Sequence, residues 1–462
     1  MVDTEEKQKS SPTVNVFPDK EHAVGDAVTD AEKAKLLRKI DWIILPPVTL
    51  LFFLSFLDRS NIGNAKLENL ATDLHMTGEQ YLVTLSVFFV GYCAFEIPSN
   101  LVLKLTSPNV WLATLMFVWG IVATLMALST SYGGLLTARF FLGATEAGVF
   151  PGAMFYLSMW YGRRGLVRRI TLFWTSTSLA GAFGGILAYG IGHMSGIAGK
   201  HGWSLLRDYP SRSKHLSPRD QTVLKELLIE DNDALHEETS SWKEVGRTFK
   251  DFKVYLYMLA WFGQALPLYT VTLFLPTIIA NLGYKAADAQ LLTVPPYAVA
   301  TVVSISIALL SERYNSRAVL AVIGYIVLLT DHTVGVQYLG TFFVTAGIFP
   351  ASALICTWVS SNVSGQIKRC VATAFQISAG DIGVIIGCQM YRPNQAPKYP
   401  LGHGMGLGFI LLSLLTSLLL WYLLVEENRR RDAITRGPLK DQAYLHDDDF
   451  EGDDDVRWRF IA

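Results

Sequence analysis

The chain has 462 residues, 51% of them hydrophobic and only 17% charged, with a formal net charge of -1. Soluble domains carry about a quarter charged residues. Here the charges crowd into the first forty residues, the middle and the tail, and the apolar runs between them have the roughly 20-residue length that crosses a bilayer. The reading is an all-α polytopic membrane protein, and a balanced charge without a basic stripe offers nothing to nucleic acid.

In chain order, residues 1–38 are polar, lack a signal peptide and read as a disordered cytoplasmic arm. Apolar runs follow near 42–64, 81–103, 110–128, 132–159, 170–194, 255–280, 291–310, 318–330, 334–360, 371–391 and 405–425, eleven in all. They divide into an N-terminal bundle of five spans over 39–200, a hydrophilic linker over 201–253 and a C-terminal bundle over 254–427, with an acidic tail at 428–462. Within the linker, "PRDQTVLKELLIEDNDALHEE" has the pattern of an amphipathic helix, and the tail run "HDDDFEGDDD" reads as solvated. The 318–330 run has 13 residues and covers about 20 Å of a roughly 30 Å hydrocarbon core.

Basic residues give the orientation. "KAKLLRK" precedes the first span, "GRRGLVRR" separates the fourth from the fifth, "QIKR" lies between two late spans and "ENRRRD" follows the last. Short Lys/Arg-rich loops stay in the cytoplasm, so both termini are expected inside. Two inside termini require an even number of crossings, and eleven is odd. A crossing is expected near residues 204–207 and none is present there.

Four charged side chains interrupt the N-terminal apolar runs: Asp58 and Arg59 at the end of the first, Arg139 and Glu146 in "ARFFLGATEAGVFPG". Arg139 and Glu146 are seven residues apart, on one helix face two turns from each other. A charge at the bilayer centre costs at least about 2.5–3.5 kcal/mol unless it meets a partner or water. Two readings follow. The four charges form an ion-pair lock between helices, or they line a hydrated cavity in which a carboxylate exchanges a proton and an arginine grips an anion. Asn61, Gln264, Tyr269, Tyr297 and Gln376 are weaker cavity candidates that serve equally well as hydrogen bonds between helices, and Lys66 has the reach to meet the membrane interface. The four cysteines lack metal-ligand spacing and read as small buried hydrophobes. No metal cluster, phosphate loop or nucleophile–base pair stands out, so neither a cofactor nor an enzyme is expected. His193, His201 and His403 are scattered near loops.

The motifs "FLDRSNIGNAKLENL", "ARFFLGATEAGVFPG", "GAFGGILAYGIG", "GVQYLGTFFVTAGIFP" and "YRPNQAPKYPLGHG", in this order over residues 38–432, closely resemble the fungal allantoate permease family. That family belongs to the anion:cation symporter branch of the major facilitator superfamily. The resemblance implies two helical-bundle halves with a substrate site between them near the membrane midplane, and a monomer in the plasma membrane. It implies proton-coupled import of a small organic anion, a nicotinate-like, allantoate-like or other carboxylate. It assigns Asp58 and Glu146 to proton coupling and Arg139 to the substrate; Arg59 either meets the substrate as well or pairs structurally with an acid. The chain departs from the pattern: the sixth helix is missing after "GKHGWS", the ninth is shortened, and Asp381 stands where the family usually has asparagine. The alternative is a non-transporting membrane protein, either a nutrient receptor or a truncated splice or gene-model product.

Overall fold

A computed structural model describes residues 30–67, 70–161, 163–191, 242–310, 317–330, 333–396, 398–436, 453 and 458–461. The regular elements among them are helical. The first half contains α1 (Asp30–Leu67), α2 (Leu70–Asp73), α3 (Gly78–Leu105), α4 (Pro108–Met126), α5 (Tyr132–Glu146), α6 (Val149–Ser158) and α7 (Arg163–Ile191). The second contains α8 (Trp242–Lys250), α9 (Phe252–Asn281), α10 (Ala286–Leu292), α11 (Val294–Leu310), α12 (Arg317–Thr330), α13 (Val334–Asn362), α14 (Gln366–Cys388) and α15 (Pro400–Arg436).

Helices are what a bilayer permits a single segment to form, because each satisfies its own backbone hydrogen bonds. Eight stretches among the described residues are long and apolar enough to cross. Outward faces are apolar, with Phe141, Leu415 and Tyr422 of these stretches exposed, as are Phe117 and Leu125 of the shorter α4, as a lipid-facing surface requires. Within the described residues α12 spans 14 residues, about 21 Å of helix against a core of roughly 30 Å. The expected missing crossing, the amphipathic helix of the linker, His193 and His201 lie outside the described residues.

Local chemistry sets the helix ends. Thr77 caps α3 reciprocally: its Oγ1 accepts from the Gln80 amide at 3.2 Å, and the Gln80 side chain accepts from the Thr77 amide at 2.8 Å. The run expected over 132–159 is one stretch long enough to cross, Tyr132–Ser158, within which the helix is broken into α5 and α6. Pro151 has no N–H and its ring would clash with the carbonyl of residue 147 in a continuous helix. The break at Ala147–Gly148 therefore leaves Glu146 as the last residue of α5.

Close helix approach depends on missing side chains. A Cβ at Gly143 of α5 would overlap the Phe88 backbone of α3, and one at Gly63 of α1 would stand 2.5 Å from the Leu273 carbonyl of α9. The second contact joins the two halves, which also meet where α3 packs on α14 and α7 on α11. Arg169 fastens α7 to α1 through a two-pronged pair with Asp41, Nε to Oδ1 at 2.5 Å and Nη2 to Oδ2 at 3.0 Å, its guanidinium 4.3 Å from the Tyr161 ring. Burial and the Asp41 carboxylate hold the Tyr161 hydroxyl above the ordinary phenol range, so it stays protonated.

Part of the tail folds back. Trp458 and Phe460 are buried with Val254, Tyr257, Val359, Leu420 and Leu424, and Asn362 holds the Ile461 backbone at both N–H and carbonyl. The acidic run read as solvated is corrected at one position: Asp453 is buried, because Lys368 Nζ reaches its Oδ2 at 2.7 Å and the Asp251 Oδ2 at 2.9 Å. His403 is also buried, packed among Tyr391, Tyr399 and Tyr325 with its Nδ1 3.2 Å from the Tyr391 hydroxyl. All four cysteines are free.

Candidate functional site

Along α1, Ser55 and Arg59 are one turn apart on the same face. Both reach Glu146 at the broken end of α5: Ser55 Oγ donates to Oε1 in a short hydrogen bond, and Arg59 Nε donates to the same oxygen at 2.8 Å. Arg59 also crosses to the other half, where its Nη1 donates to the Tyr269 hydroxyl on α9 at 2.7 Å. Its guanidinium sits in an aromatic cage, 4.6 Å from the Tyr92 ring centre, 5.5 Å from Phe88 and 5.8 Å from Tyr269. An arginine is suited to such a place because its planar, weakly hydrated head stacks on rings while its edge donates hydrogen bonds.

Arg139 and Asp58 form the second part. Arg139 is buried, 4% exposed, and its Nε has no hydrogen-bond partner. It interacts electrostatically with Asp58, Tyr81 and Glu146. Asp58 Oδ2 accepts from Trp119 Nε1 of α4 at 3.1 Å. The four charges expected from the sequence therefore come together, as two arginines alternating with two acids between α1 and α5. The two readings of them are not exclusive. Arg59–Glu146 is a buried ion pair, whereas Arg139 keeps a donor unused.

The weaker candidates divide. Tyr269 joins the cluster. Tyr297 on α11 is buried against Gly181 of α7 and stacks edge-on to Phe349 at 5.5 Å, which places it in the contact between halves. Gln264 donates to the Ile348 carbonyl at 2.9 Å and to Ser352 Oγ at 3.1 Å. Gln376 donates to the carbonyls of Ile355 at 3.2 Å and Tyr257 at 3.3 Å. Both amide groups thus brace neighbouring helices of the second half. Asn61 is exposed and stands apart from the cluster. Lys66, expected to reach the interface, lies over the Tyr81 ring at 4.5 Å.

Sequence reasoning missed Ser55, Tyr92, Trp119 and a buried acid, Glu96 of α3. Glu96 is 0% exposed, and Ser378 Oγ of α14 donates to its Oε2 at 2.5 Å across the two halves. The signal was available: Glu96 is an acid inside an apolar run, the criterion that singled out Glu146. The three hydroxyl and aromatic residues carried no charge to mark them.

The sequence profile of the Major Facilitator Superfamily matches residues 48–388. Among curated relatives, the chain is 32% identical over 471 residues to the MFS-type transporter cnsO of Penicillium expansum, covering 93% of this chain and 91% of that one. It is 35% identical over 429 residues to the MFS transporter prlL of a fungal species, strain NRRL 50135, covering 85% and 86%. Among solved structures, the fold is similar to the proton:xylose symporter XylE, known from E. coli, with a TM-score of 0.59 at 14% identity, covering 82% of this chain and 95% of that one. It is also similar to a bacterial homologue of the human lysosomal transporter Spinster, with a TM-score of 0.57 at 12% identity and coverage of 86% and 97%.

Proposed function

From the premise that this chain belongs to the Major Facilitator Superfamily and is a membrane transporter, we propose that it is a proton-coupled symporter that imports a small organic carboxylate. We place it in the allantoate permease branch, on the motifs that resemble that family, as a monomer in the plasma membrane with both termini in the cytoplasm. The observation that carries the reading is Arg139, a buried guanidinium with a free Nε–H beside the Asp58 and Glu146 carboxylates.

The chemistry follows from competition for the arginines. Glu146 accepts from Arg59 and Ser55. An arriving carboxylate docks on the planar fork of Arg139 and draws Arg59 toward itself. Glu146 then loses part of its cation partner inside a low-dielectric site, which favours its protonated form. Anion and proton enter together as a neutral load, so each raises the affinity for the other. Tyr269 reports the change to the second half, because its hydroxyl partner is the same Arg59. Asp58, held by Trp119, is the second proton acceptor.

Uptake of radiolabelled nicotinate and allantoate at acidic and neutral external pH, in cells without their own permeases, tests this. Wild type takes up one of them faster at acidic pH, and Glu146→Gln, expressed at the surface, flattens that dependence. Unchanged pH dependence in Glu146→Gln removes Glu146 from coupling. Failure of wild type to move any carboxylate removes the substrate class.

A further inference from the structure

The charges at the centre do not balance. Arg59 and Arg139 are the two cations, whereas four carboxyl groups interact with them: Asp58, Glu146, Glu96 and Asp381. Glu146 is bonded to Arg59, and Asp58 interacts electrostatically with Arg139. Glu96 on α3 and Asp381 on α14 remain, 0% and 2% exposed, from opposite halves of the molecule. Among the described residues, no salt bridge reaches either of them.

Their hydrogen bonding is as incomplete as their charge pairing. Glu96 Oε2 accepts from Ser378, one turn before Asp381 on α14, while Glu96 Oε1 and Asp381 Oδ2 have no partner. Arg59 Nη2, 3% exposed, is likewise without one. The groups facing Asp381 from the surrounding helices are Arg59 of α1, Tyr92, Cys93 and Glu96 of α3, Glu146 of α5, Tyr269 of α9 and Cys356 of α13. One is a cation, and it is already engaged by Glu146 and Tyr269. Glu96 thus reaches the turn of α14 that carries Asp381, which brings two buried carboxyl groups without a cation of their own to one place, and a proton held between them relieves their repulsion.

We propose that Glu96 and Asp381, braced by Ser378, form a proton-binding pair across the contact between the two halves. The ligand is a single proton. It turns one carboxyl oxygen into a donor, halves the excess negative charge of the centre and lets α3 and α14 lie together. When the pair is fully ionised, like charge on the two helices opposes that contact. This goes beyond the proposed symport, since it requires neither an anion nor turnover.

The test is infrared spectroscopy of the full-length protein reconstituted in lipid, reading the protonated-carboxyl C=O stretch and its shift in deuterated buffer across a pH titration. Wild type is expected to show, beside the bands of its other carboxyl groups, one band that outlasts them as the pH rises and disappears in a single step. Asp381→Asn and Glu96→Gln should each abolish it, and the double variant should remove nothing more. Ser378→Ala should keep the band but move its frequency, because one hydrogen bond to the pair is lost. Size-exclusion profiles and helical circular dichroism confirm that each variant is folded, and the isosteric Asp381→Asn keeps the test meaningful should Glu96→Gln misfold. Persistence of that band in Asp381→Asn, or its loss instead in Glu146→Gln, overturns the proposal. Glu146→Gln uptake tests the symport reading separately, so the two ideas fail independently.

Discussion

The charged side chains of α1 and α5 and the two buried glutamines of the second half treat buried polarity differently. In the first, charged side chains from α1 and α5 keep part of their bonding capacity open: Arg139 Nε, Arg59 Nη2 and Glu146 Oε2 have no partner. In the second, the amides of Gln264 and Gln376 already donate to the carbonyls of neighbouring helices. Buried polar groups are normally satisfied because leaving them unmade costs about 1–3 kcal/mol each. The unused donors of Arg59 and Arg139 stand beside carboxylates in the charged cluster, whereas the NH2 groups of Gln264 and Gln376 are taken up in bracing neighbouring helices. In the proposed symport, the first half would carry the recognition chemistry, with Tyr269 of the second half as the link through Arg59.

The largest expected effect comes from breaking the buried pair. Arg59→Ala leaves the buried Glu146 without its hydrogen-bonded cation, and removing one partner of such a pair costs about 3–5 kcal/mol. Thermal unfolding in detergent should show a large loss of stability. The double variant Arg59→Ala/Glu146→Gln should recover much of it, because the stranded charge is gone. An additive double variant contradicts the coupling of the two residues. Next in size is Arg139→Lys, which keeps the charge and loses the planar fork. Charge-assisted hydrogen bonds contribute about 1.5–3 kcal/mol, so carboxylate uptake at low substrate should fall roughly 10- to 100-fold, with little change in surface level.

A smaller effect, of a different kind, is expected in the second half. Gln376→Leu removes donors to two carbonyls and should lower stability by about 1–3 kcal/mol, while leaving the substrate concentration for half-maximal uptake unchanged. A shift in that concentration with stability unchanged would make Gln376 a contact residue and erase the contrast between the halves.

The sequence made much of this legible, for physical reasons. Apolar length finds membrane helices because lipid imposes it, and the 13-residue run at 318–330 lies within α12. Charge inside an apolar run finds Asp58, Arg59, Arg139 and Glu146 because their burial is too costly to be idle. The break between α5 and α6 was hidden inside one continuous run, although Pro151 signals it. The burial of Asp453 was not legible, because the acid reads as solvated until Lys368 and Asp251 are brought beside it by the fold. Glu96 and Asp381 stand 285 residues apart in the chain, and only the contact of α3 with α14 makes them one site. Among the uncharged candidates, a glutamine that binds substrate and one that braces a helix have the same sequence signature.

The smallest expected effect is at Asn61, and it tests whether the open chemistry belongs to one face of α1. Residues two apart on a helix point about 200° away from each other, so a helix that buries Arg59 in the cluster turns Asn61 outward, and Asn61 is exposed. Asn61→Ala should leave stability within about 0.5 kcal/mol and carboxylate uptake at the wild-type level, measured beside Arg139→Lys in the same cells. A loss comparable to that of Arg139→Lys would mean that α1 presents a different face to the permeant, and the division between an open first half and a braced second half would have to be redrawn around the rotated helix.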